Sequence, residues 1–323
     1  MTMRRTAAAL LTAPLLLAGC GLQAANQYTP EAEPGSIQPV EGAEGVELVV
    51  GAKNFTEQLV LGKIAVIALQ TAGFDVLDRT NIPGSVPVRT GATSGEIDMN
   101  WEYTGTAWLT YLSEPEGIPD RTEQYEAVRQ ADLANGLTWL PPAEMNNTYA
   151  FAIRSEAAAD LGVTTLSDIA ALPVEDRTFC VEAEFASRND GFVPMLERYG
   201  LPLGSADGVP RDAVSTLDTG AVYTATDQGA CNFGEVFTTD GRIESLDLTV
   251  LEDDRQFFPA YNVAPVVYTQ TLEEHPELAD VFAEITPLIT DEVMIELNRR
   301  VDVDGEEPVD VALDWMRSEG LVE

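Results

Sequence analysis

Residues 47–73 read ELVVGAKNFTEQLVLGKIAVIALQTAG, and they join two different hydrophobic patterns. The first part, ELVVGAK at 47–53, is a short run rich in residues that favour β-structure, and it predicts a strand. From Thr56 onward apolar residues recur at helical spacing until Gly73, which is typical of a helix that ends at a glycine. This stretch therefore predicts a strand that leads directly into a helix.

The alternation of strands and helices continues after residue 73. FDVLDRTN at 74–81 predicts a second strand, VPVRTGATSGE at 86–96 a short helix, and IDMNWEY at 97–103 a third strand. Strands that alternate with helices are typical of a sheet in which neighbouring strands run mainly parallel and helices connect them. The chain is therefore predicted to belong to the α/β class.

A second series of strands and helices starts after residue 142, with TYAFAIR at 148–154. Residues 248–268 would carry the chain back, and the helices from about Pro276 onward would rejoin the first series. We therefore predict two lobes, each with a mainly parallel sheet and flanking helices, joined by a hinge beside a cleft. Lobe 1 comprises residues 46–145 and 255–323, and lobe 2 comprises residues 146–254.

The N-terminus has the composition of an export signal. Two arginines and a short apolar run precede LAGC at 17–20, which resembles the lipobox of bacterial lipoproteins. We predict a signal peptide over residues 1–19 and a lipid on Cys20, which would hold the exported protein on the extracytoplasmic side of the cell membrane. An ordinary signal with a chance cysteine is the alternative. Residues 20–45, rich in Pro, Glu and Ala, are predicted to form a flexible tether before a fold that starts near Val46.

Lipid attachment would remove Cys20 from the cysteines that can form disulfides. Two cysteines, Cys180 and Cys231, then remain in the chain. Disulfides form and persist in the oxidising compartments that exported proteins enter. We therefore predict that Cys180 and Cys231 form a disulfide in lobe 2.

The chain is strongly acidic. Its 54 Asp and Glu residues outnumber 18 Lys and Arg, and the formal net charge is −36. Such a charge excludes nucleic acid as a partner, and an anionic membrane surface would repel the folded domain. After the first twenty residues no apolar run is long enough to cross a bilayer. We expect a monomeric body with a charged, solvated surface.

The sequence offers little catalytic chemistry. Its single histidine, His275, lies in EEHPE, which is typical of a solvated helix start, so a histidine-based triad or zinc site is not expected. VDVDGEE at 301–307 lacks the spacing of a calcium loop. We predict no metal, no cofactor and no enzymatic activity. An enzyme would have to use Glu102 or Asp190 as its base, and an adhesive lipoprotein is the other alternative.

WEYTGTAW at 101–108 places three large aromatic residues beside two threonines. One interpretation is structural, because a strand end and a first helical turn capped by Thr104 would pack such residues into a core. The other interpretation is that the aromatic rings and hydroxyl groups bind a ligand. Trp101 and Trp108 are expected to support the core under either interpretation, since neighbouring residues of a strand point to opposite faces.

Five motifs decide between these interpretations. Together and in this order they resemble the substrate-binding proteins of bacterial ABC transporters for quaternary ammonium compounds, over about residues 46–323. The resemblance implies a two-lobed periplasmic-binding-protein fold of type II, a ligand held between the lobes, and permease and ATPase subunits as partners. The motifs are GAKNFTEQ (51–58), IDMNWEYTGTA (97–107), NTYAFAI (147–153), EFASRNDG (184–191) and EVFTTDGR (235–242).

The resemblance also implies the ligand contacts. The quaternary ammonium group would be surrounded by aromatic rings, which attract a diffuse positive charge, and a ligand carboxylate would receive hydrogen bonds at the other end. Phe237 stands where the family often has tyrosine. Core packing of each tyrosine and surface placement of each cation are the alternatives. The implied ring residues are Tyr103, Tyr149, Tyr223 and Phe237, and the implied carboxylate donors are Lys53, Thr106 and Arg188.

The two sets of contacts together favour a small zwitterionic ligand. A carboxylate site argues for a betaine over choline, which has no carboxylate. We therefore predict a glycine betaine-like osmoprotectant, with choline, carnitine or ectoine as the alternatives.

Overall fold

The computed structural model describes residues 29–323, so the predicted signal peptide and Cys20 lie outside the described residues. Two sheets of five strands account for the β-structure in this part of the chain. The strands are β1 (Glu47–Lys53), β2 (Asp75–Ile82), β3 (Met99–Tyr103), β4 (Leu137–Trp139), β5 (Tyr149–Arg154), β6 (Phe179–Glu182), β7 (Val214–Leu217), β8 (Phe233–Phe237), β9 (Leu248–Val250) and β10 (Val263–Tyr268).

Helices cover the sheets and connect most of the strands. The segment after α3 continues as a π-helical turn at Ala107–Tyr111. The α-helices are α1 (Thr56–Thr71), α2 (Ser85–Ser94), α3 (Thr104–Thr106), α4 (Arg121–Asp132), α5 (Ser155–Leu161), α6 (Ala183–Ser187), α7 (Phe192–Arg198), α8 (Thr219–Asp227), α9 (Arg242–Ser245), α10 (Thr269–Glu274), α11 (Leu278–Ile285), α12 (Asp291–Asp302) and α13 (Pro308–Ser318).

The two sheets share one topology. The first has the order β2-β1-β3-β10-β4 and the second the order β7-β6-β8-β5-β9. In each sheet four strands point in the same direction, and the fifth, β10 in the first sheet and β5 in the second, is antiparallel to both of its neighbours. The sheets are thus mainly parallel in strand direction, as predicted, and one reversed strand makes each of them mixed. The reason is that β5 and β10 each follow a crossing of the chain from one lobe to the other, and each enters its new sheet in the reverse direction.

The strand and helix predicted from residues 47–73 form β1 and α1. α1 is buried along nearly its whole length and packs between the first sheet and α12 and α13. Gly62 permits this packing, because a Cβ there would lie 2.6 Å from Thr80 Cγ2 and 2.9 Å from Ala52 Cβ. Between residues 29 and 323, no helix combines the length and the apolar character that crossing a membrane requires.

Packing against the fold begins earlier in the chain than the predicted Val46. Ile37 and Ala43 are buried in the core of lobe 1. The backbone N–H groups of Gly35 and Ile37 both donate to the carbonyl of Leu321, at 3.2 and 3.1 Å. The second half of the predicted tether is therefore part of the fold. It lacks hydrophobic periodicity because it is held by backbone contacts and by a few isolated apolar side chains, namely Ile37, Val40 and Ala43.

Two crossover segments, 145–148 and 255–262, join the lobes. They contact each other through an antiparallel bridge between Asn146 and Asn262. The Asn146 Oδ1 atom also accepts a hydrogen bond of 2.6 Å from the backbone N–H of Tyr261. The first sheet lies within the residues assigned to lobe 1, and the second within those assigned to lobe 2. The paired crossovers form the hinge between them.

Cys180 and Cys231 are joined by a disulfide in lobe 2. Cys180 is a central residue of β6, and Cys231 lies just before β8, the strand that pairs with β6. Both are buried and pack against Val222 of α8. The disulfide therefore ties the loop that enters β8 to the neighbouring strand.

Candidate functional site

A cavity of about 500 Å³ lies between the two lobes. Both sheets reach it with the carboxyl ends of parallel strands: Lys53 ends β1, Tyr103 ends β3, Glu182 ends β6 and Phe237 ends β8. Ligands of open α/β sheets bind at this edge. Of the seven predicted ligand contacts, six line the cavity, namely Lys53, Tyr103, Thr106, Tyr149, Arg188 and Phe237.

Five aromatic rings line one part of this cavity, and they form a connected cluster. Phe55 stacks on Phe237 and Tyr103, with ring centres 5.3 and 6.2 Å apart. The Tyr149 ring lies 5.3 Å from Phe237 and 5.5 Å from Tyr261, which meets it edge-on. We call Phe55, Tyr103, Tyr149, Phe237 and Tyr261 the aromatic cluster. Its faces offer negative quadrupole potential to a cation in the cavity.

Phe55 and Tyr261 were not among the predicted residues. Phe55 follows Lys53 by two positions, inside the motif GAKNFTEQ, and its place just after a strand end was the available signal. Tyr261 lies in the second crossover segment, where the chain has no periodic pattern. Its position in the cavity depends on how the crossovers pair, which the sequence pattern does not show.

Tyr223 does not line the cavity, in contrast to the prediction. It lies on α8 and is buried in lobe 2 among Ala150, Ala152 and Val236 of the second sheet. Its hydroxyl oxygen accepts a 2.9 Å hydrogen bond from the backbone N–H of Phe237. The helix turns this ring toward the sheet and away from the cleft, so Tyr223 supports Phe237 from behind.

Lys53 is ion-paired in the cavity wall. Its Nζ atom lies 2.6 Å from Glu102 Oε1, and both side chains are buried. The Oε1 atom of Glu102 also accepts a hydrogen bond from the Tyr103 backbone N–H, and Oε2 accepts one from the Tyr111 hydroxyl. The Lys53 ammonium group also lies 5.1 Å from the centre of the Tyr103 ring. Its charge is neutralised locally, but an ammonium group has three donors and Glu102 uses one of them.

Arg188 is also paired with a buried carboxylate. Its Nε atom donates to Asp190 Oδ1 at 2.7 Å, and Nη2 donates to Asp190 Oδ2. Nη2 reaches Thr106 Oγ1 at 3.4 Å, across the cleft. Nη1 has one weak partner among the described residues, Glu184 Oε1 at 3.4 Å. The guanidinium therefore keeps donor capacity at Nη1, although Asp190 balances its charge.

Glu57 is a buried carboxylate below the aromatic cluster. Its oxygens accept hydrogen bonds from the hydroxyls of Tyr103 and Thr239, at 2.7 and 2.5 Å. They also accept from the amides of Asn147 and Asn298, at 2.8 and 3.3 Å. Burial raises the pKa of Glu57, and these four donors oppose the rise. Since Thr239 belongs to lobe 2, Glu57 of α1 contributes to holding the lobes together.

Another contact between the lobes lies in the lining of the cavity. The carboxylate of Glu184 in lobe 2 accepts hydrogen bonds from the hydroxyl and the backbone N–H of Ser85 in lobe 1, the latter at 3.1 Å. Ser85 is the first residue of α2, so the carboxylate faces the positive end of that helix. Asn189 adds a further contact between the lobes, with its Nδ2 atom donating to the carbonyl oxygen of Leu109 at 2.7 Å.

Two lobes, a paired hinge and an interlobe cavity define a substrate-binding protein of the type II periplasmic-binding-protein class. The crystal structure described as "glycine betaine/carnitine/choline ABC transporter" has this fold, with a TM-score of 0.68 and 26% sequence identity over 84% of this chain and 98% of that one. The fold predicted from the sequence is confirmed.

Residues 46–318 match the family model of the substrate-binding domain of the ABC-type glycine betaine transport system, and the chain belongs to this family. The glycine-betaine-binding protein of Pseudomonas aeruginosa is 40% identical over 87% of this chain and 90% of its own length. An ergothioneine transport permease/ergothioneine binding protein of Helicobacter pylori is 30% identical over 88% of this chain, which spans 49% of that protein. The resemblance stated from the motifs is thus confirmed.

Family membership defines the class of activity. The chain is the substrate-binding component of an ABC importer, which works with a permease and an ATPase, and it is not an enzyme. Glu102 and Asp190, the carboxylates that an enzyme would have needed as bases, are the ion-pair partners of Lys53 and Arg188.

Proposed function

We propose that the interlobe cavity captures a glycine betaine-like quaternary ammonium compound and that closure of the lobes prepares it for delivery to the permease. The observation that carries this proposal is the direct contact between the aromatic cluster and two buried cations. The cavity therefore offers aromatic faces to the cationic end of a zwitterion and hydrogen-bond donors to its anionic end.

The aromatic cluster would bind the ammonium end. A trimethylammonium group has no N–H donor, so ordinary hydrogen bonds cannot select it, and its charge is spread over the methyl surfaces. Aromatic faces suit such a group because they combine cation–π attraction with apolar contact. Tyr103, Tyr149 and Phe237 approach the cavity from both lobes, so closing the lobes would bring rings around the cation from several directions.

Arg188, Lys53 and Thr106 would bind the carboxylate end. Nη1 of Arg188 and the remaining donors of Lys53 can form charge-assisted hydrogen bonds, which are shorter and stronger than those between neutral groups. Because Asp190 and Glu102 already balance the two cations, neither cation would be left unpaired in the absence of ligand. Burying an unpaired charge is strongly unfavourable, so these partners keep the site stable.

The names of the relatives support a quaternary ammonium ligand without choosing among them. One relative is named for glycine betaine and another for ergothioneine, and the solved structure is described with glycine betaine, carnitine and choline. Choline is the second candidate, favoured by the additional carboxylates Glu182, Glu184 and Asp218 in the cavity lining. These three acidic groups would attract a ligand with a net positive charge.

Isothermal titration of the mature protein tests the proposal. Glycine betaine and glycine form a matched pair, because they differ by the three methyl groups of the ammonium end. We expect glycine betaine to bind and glycine to bind at least about a hundredfold more weakly, since glycine loses apolar contact and retains its water shell. If glycine betaine, proline betaine, carnitine, choline and ectoine all fail to bind at millimolar concentration, the proposed function is wrong.

We further propose that the protein is a monomer attached to the membrane by a lipid on Cys20. The signal-like sequence before Cys20 supports this proposal. Replacing Cys20 with Ser should release the protein from the membrane fraction and leave the affinity for ligand unchanged, because the cavity-lining residues of the described chain begin at Lys53. A membrane-bound Cys20→Ser variant would contradict the lipid anchor. Size-exclusion chromatography with light scattering tests whether the protein is a monomer, and a mass of twice that of one chain would contradict this.

A further inference from the structure

Tyr111 holds the carboxylate that pairs with Lys53. Its hydroxyl donates to Glu102 Oε2 at 2.9 Å, and a longer contact of 3.3 Å reaches the backbone carbonyl of Ser85. Burial, and after it the charge of Glu102, raises the pKa of Tyr111 well above the ordinary value of 10, so the phenol keeps its proton and acts as a donor. Tyr111 is not part of the cavity lining. It therefore acts on a ligand in the cavity through its neighbours.

A π-helical turn after Thr106 brings Tyr111 into this position. The backbone N–H of Leu112 donates to the carbonyl of Ala107, five residues earlier, at 2.9 Å. In such a turn residues five apart lie on nearly the same side, whereas in an α-helix residues four apart do so. Tyr111 therefore lies on the side of Thr106, which lines the cavity, and an α-helical turn would place Thr110 there instead. Turns of this kind are rare and occur often at functional sites.

The two carboxylate oxygens of Glu102 have different partners. Oε1 accepts hydrogen bonds from Lys53 Nζ at 2.6 Å and from the backbone N–H of Tyr103 at 2.8 Å, whereas Oε2 accepts from Tyr111. Glu102 is 3% exposed, so loss of the Tyr111 hydroxyl would cost Oε2 a hydrogen bond that water cannot readily replace. The Lys53 ammonium group could replace it by donating to both oxygens, since it has three donors.

We propose that Tyr111 is a positioning residue for Lys53. By donating to Oε2, the hydroxyl keeps Glu102 from taking a second donor of the ammonium group, and the remaining donors stay available to a ligand carboxylate. The inference rests on the proposed function, in which Lys53 binds the carboxylate end of the ligand, and it deepens that function. Without the hydroxyl, Glu102 would draw the ammonium group toward both of its oxygens, and the affinity for a carboxylate-bearing ligand would fall.

Tyr111→Phe tests the proposal with the smallest change. It removes the hydroxyl and keeps the ring, whose centre lies 5.0 Å from the Arg89 guanidinium. Titration calorimetry of the mature protein with glycine betaine and with choline compares a ligand that has a carboxylate with one that does not. We expect the dissociation constant of glycine betaine to rise about five- to tenfold, because the hydrogen bonds of a buried charged pair are disturbed. The dissociation constant of choline should change less than about twofold.

Tyr125 provides a matched control. It is another tyrosine of lobe 1 in the same hydrophobic cluster as Tyr111, and it does not line the cavity. Its hydroxyl donates to the backbone carbonyl of Trp139 at 3.3 Å, instead of to Glu102. Tyr125→Phe therefore also removes one hydroxyl from the interior of lobe 1. It should change the affinity for glycine betaine less than about twofold.

A double-mutant cycle tests whether Tyr111 acts through Lys53. Lys53→Gln removes the ammonium group and keeps an amide that can donate to Glu102. Residues that act through one contact show non-additive effects. Tyr111→Phe should therefore weaken glycine betaine less than about twofold when it is added to Lys53→Gln. Thermal unfolding of each variant checks that it is folded.

The outcomes separate this inference from the proposed function. If glycine betaine binds, but Tyr111→Phe weakens it no more than Tyr125→Phe does, the role of Tyr111 is wrong and the proposed function stands. The role is also wrong if Tyr111→Phe weakens choline equally, or if its full effect persists in Lys53→Gln. If none of the ligands titrated above binds to the unmodified protein, the proposed function fails, and the role of Tyr111 fails with it.

Discussion

The Arg188 guanidinium lies 5.4 Å from the centre of the Tyr149 ring, so the charged part and the aromatic part of the site are in direct contact. Tyr261 extends this contact, because its ring meets Tyr149 edge-on and its hydroxyl donates to Asp190, the partner of Arg188, at 2.7 Å. A substitution in the charged part of the site therefore also affects the aromatic part, and the reverse is true as well. Variants of the site must be compared with controls that disturb the same contacts.

Removing one ring of the aromatic cluster should weaken all quaternary ammonium ligands alike. For Tyr149→Leu we expect the affinities for glycine betaine and choline to fall by about 1–2 kcal/mol each, through lost cation–π attraction. Tyr223→Leu is the control, because Tyr223 is buried behind Phe237 and lines no part of the cavity. It should lower the free energy of unfolding by about 2–4 kcal/mol and change affinity less than Tyr149→Leu does. If calorimetry shows that Tyr149→Leu and Tyr223→Leu lose the same affinity, Tyr223 contributes to ligand binding and this prediction is wrong.

Removing the Arg188 guanidinium should change selectivity. We expect Arg188→Ala to weaken glycine betaine by about 2 kcal/mol or more, because a charge-assisted hydrogen bond is lost, and to weaken choline less. The variant also leaves Asp190 buried without its partner, so its stability should fall. Asp190→Asn breaks the same ion pair but keeps the guanidinium, and it should lose stability without losing selectivity. Equal weakening of both ligands by Arg188→Ala would exclude Arg188 as the carboxylate donor.

Glu235 should make the stability of the protein depend on pH. Burial raises the pKa of this carboxyl from an ordinary value of 4.5 to about 8. Between these two values the folded protein binds more protons than the unfolded chain, so the free energy of unfolding decreases as the pH rises. We expect Glu235→Gln to remove this decrease. Thermal unfolding of the unmodified protein and of Glu235→Gln from pH 5 to pH 9 checks this prediction. If stability depends on pH in the same way for both proteins, the pKa of Glu235 is not raised.

The disulfide should contribute substantially to the stability of lobe 2. It closes a loop of 51 residues between Cys180 and Cys231, and such loops restrict the unfolded chain enough to contribute about 2–4 kcal/mol. Replacing both cysteines with alanine should lower the free energy of unfolding by that amount in urea titrations. Without reduction, mass spectrometry should recover the two cysteines in one cross-linked peptide. Recovery of both as alkylated thiols from unreduced, denatured protein would contradict the bond.

Local patterns in the sequence predicted much of the fold. The strand and helix of residues 47–73 appear as β1 and α1, and the motifs place Lys53 and Tyr103 at the ends of neighbouring parallel strands. These features depend on periodicity and on which strand ends share an edge. The reversed direction of β5 and β10 depends on how the crossovers enter the sheets, and no local pattern shows that.

The parts of the site that the sequence did not predict depend on contacts between distant segments. Tyr261 reaches the cavity because the two crossovers pair, and Glu57 becomes a buried acceptor because donors from α12 and lobe 2 converge on it. Tyr223 was assigned to the wrong side of α8, because a short helix packed on a sheet can direct an aromatic residue toward either the core or the cleft. Charge counts likewise could not show that Asp190 is the partner of Arg188.

The backbone N–H of Glu323 donates to the carbonyl of Glu33 at 2.8 Å, and Pro34 bridges to Val322. If the proposed lipid on Cys20 is present, a pull from the membrane would therefore reach the described part of the chain at lobe 1 and spread into α13 and its neighbours. Lobe 2 would receive that load only indirectly, through the paired crossovers and the contacts that Glu57 and Glu184 make between the lobes. Lobe 2 would then be the lobe that moves when the cleft opens and closes, while lobe 1 stays fixed relative to the membrane.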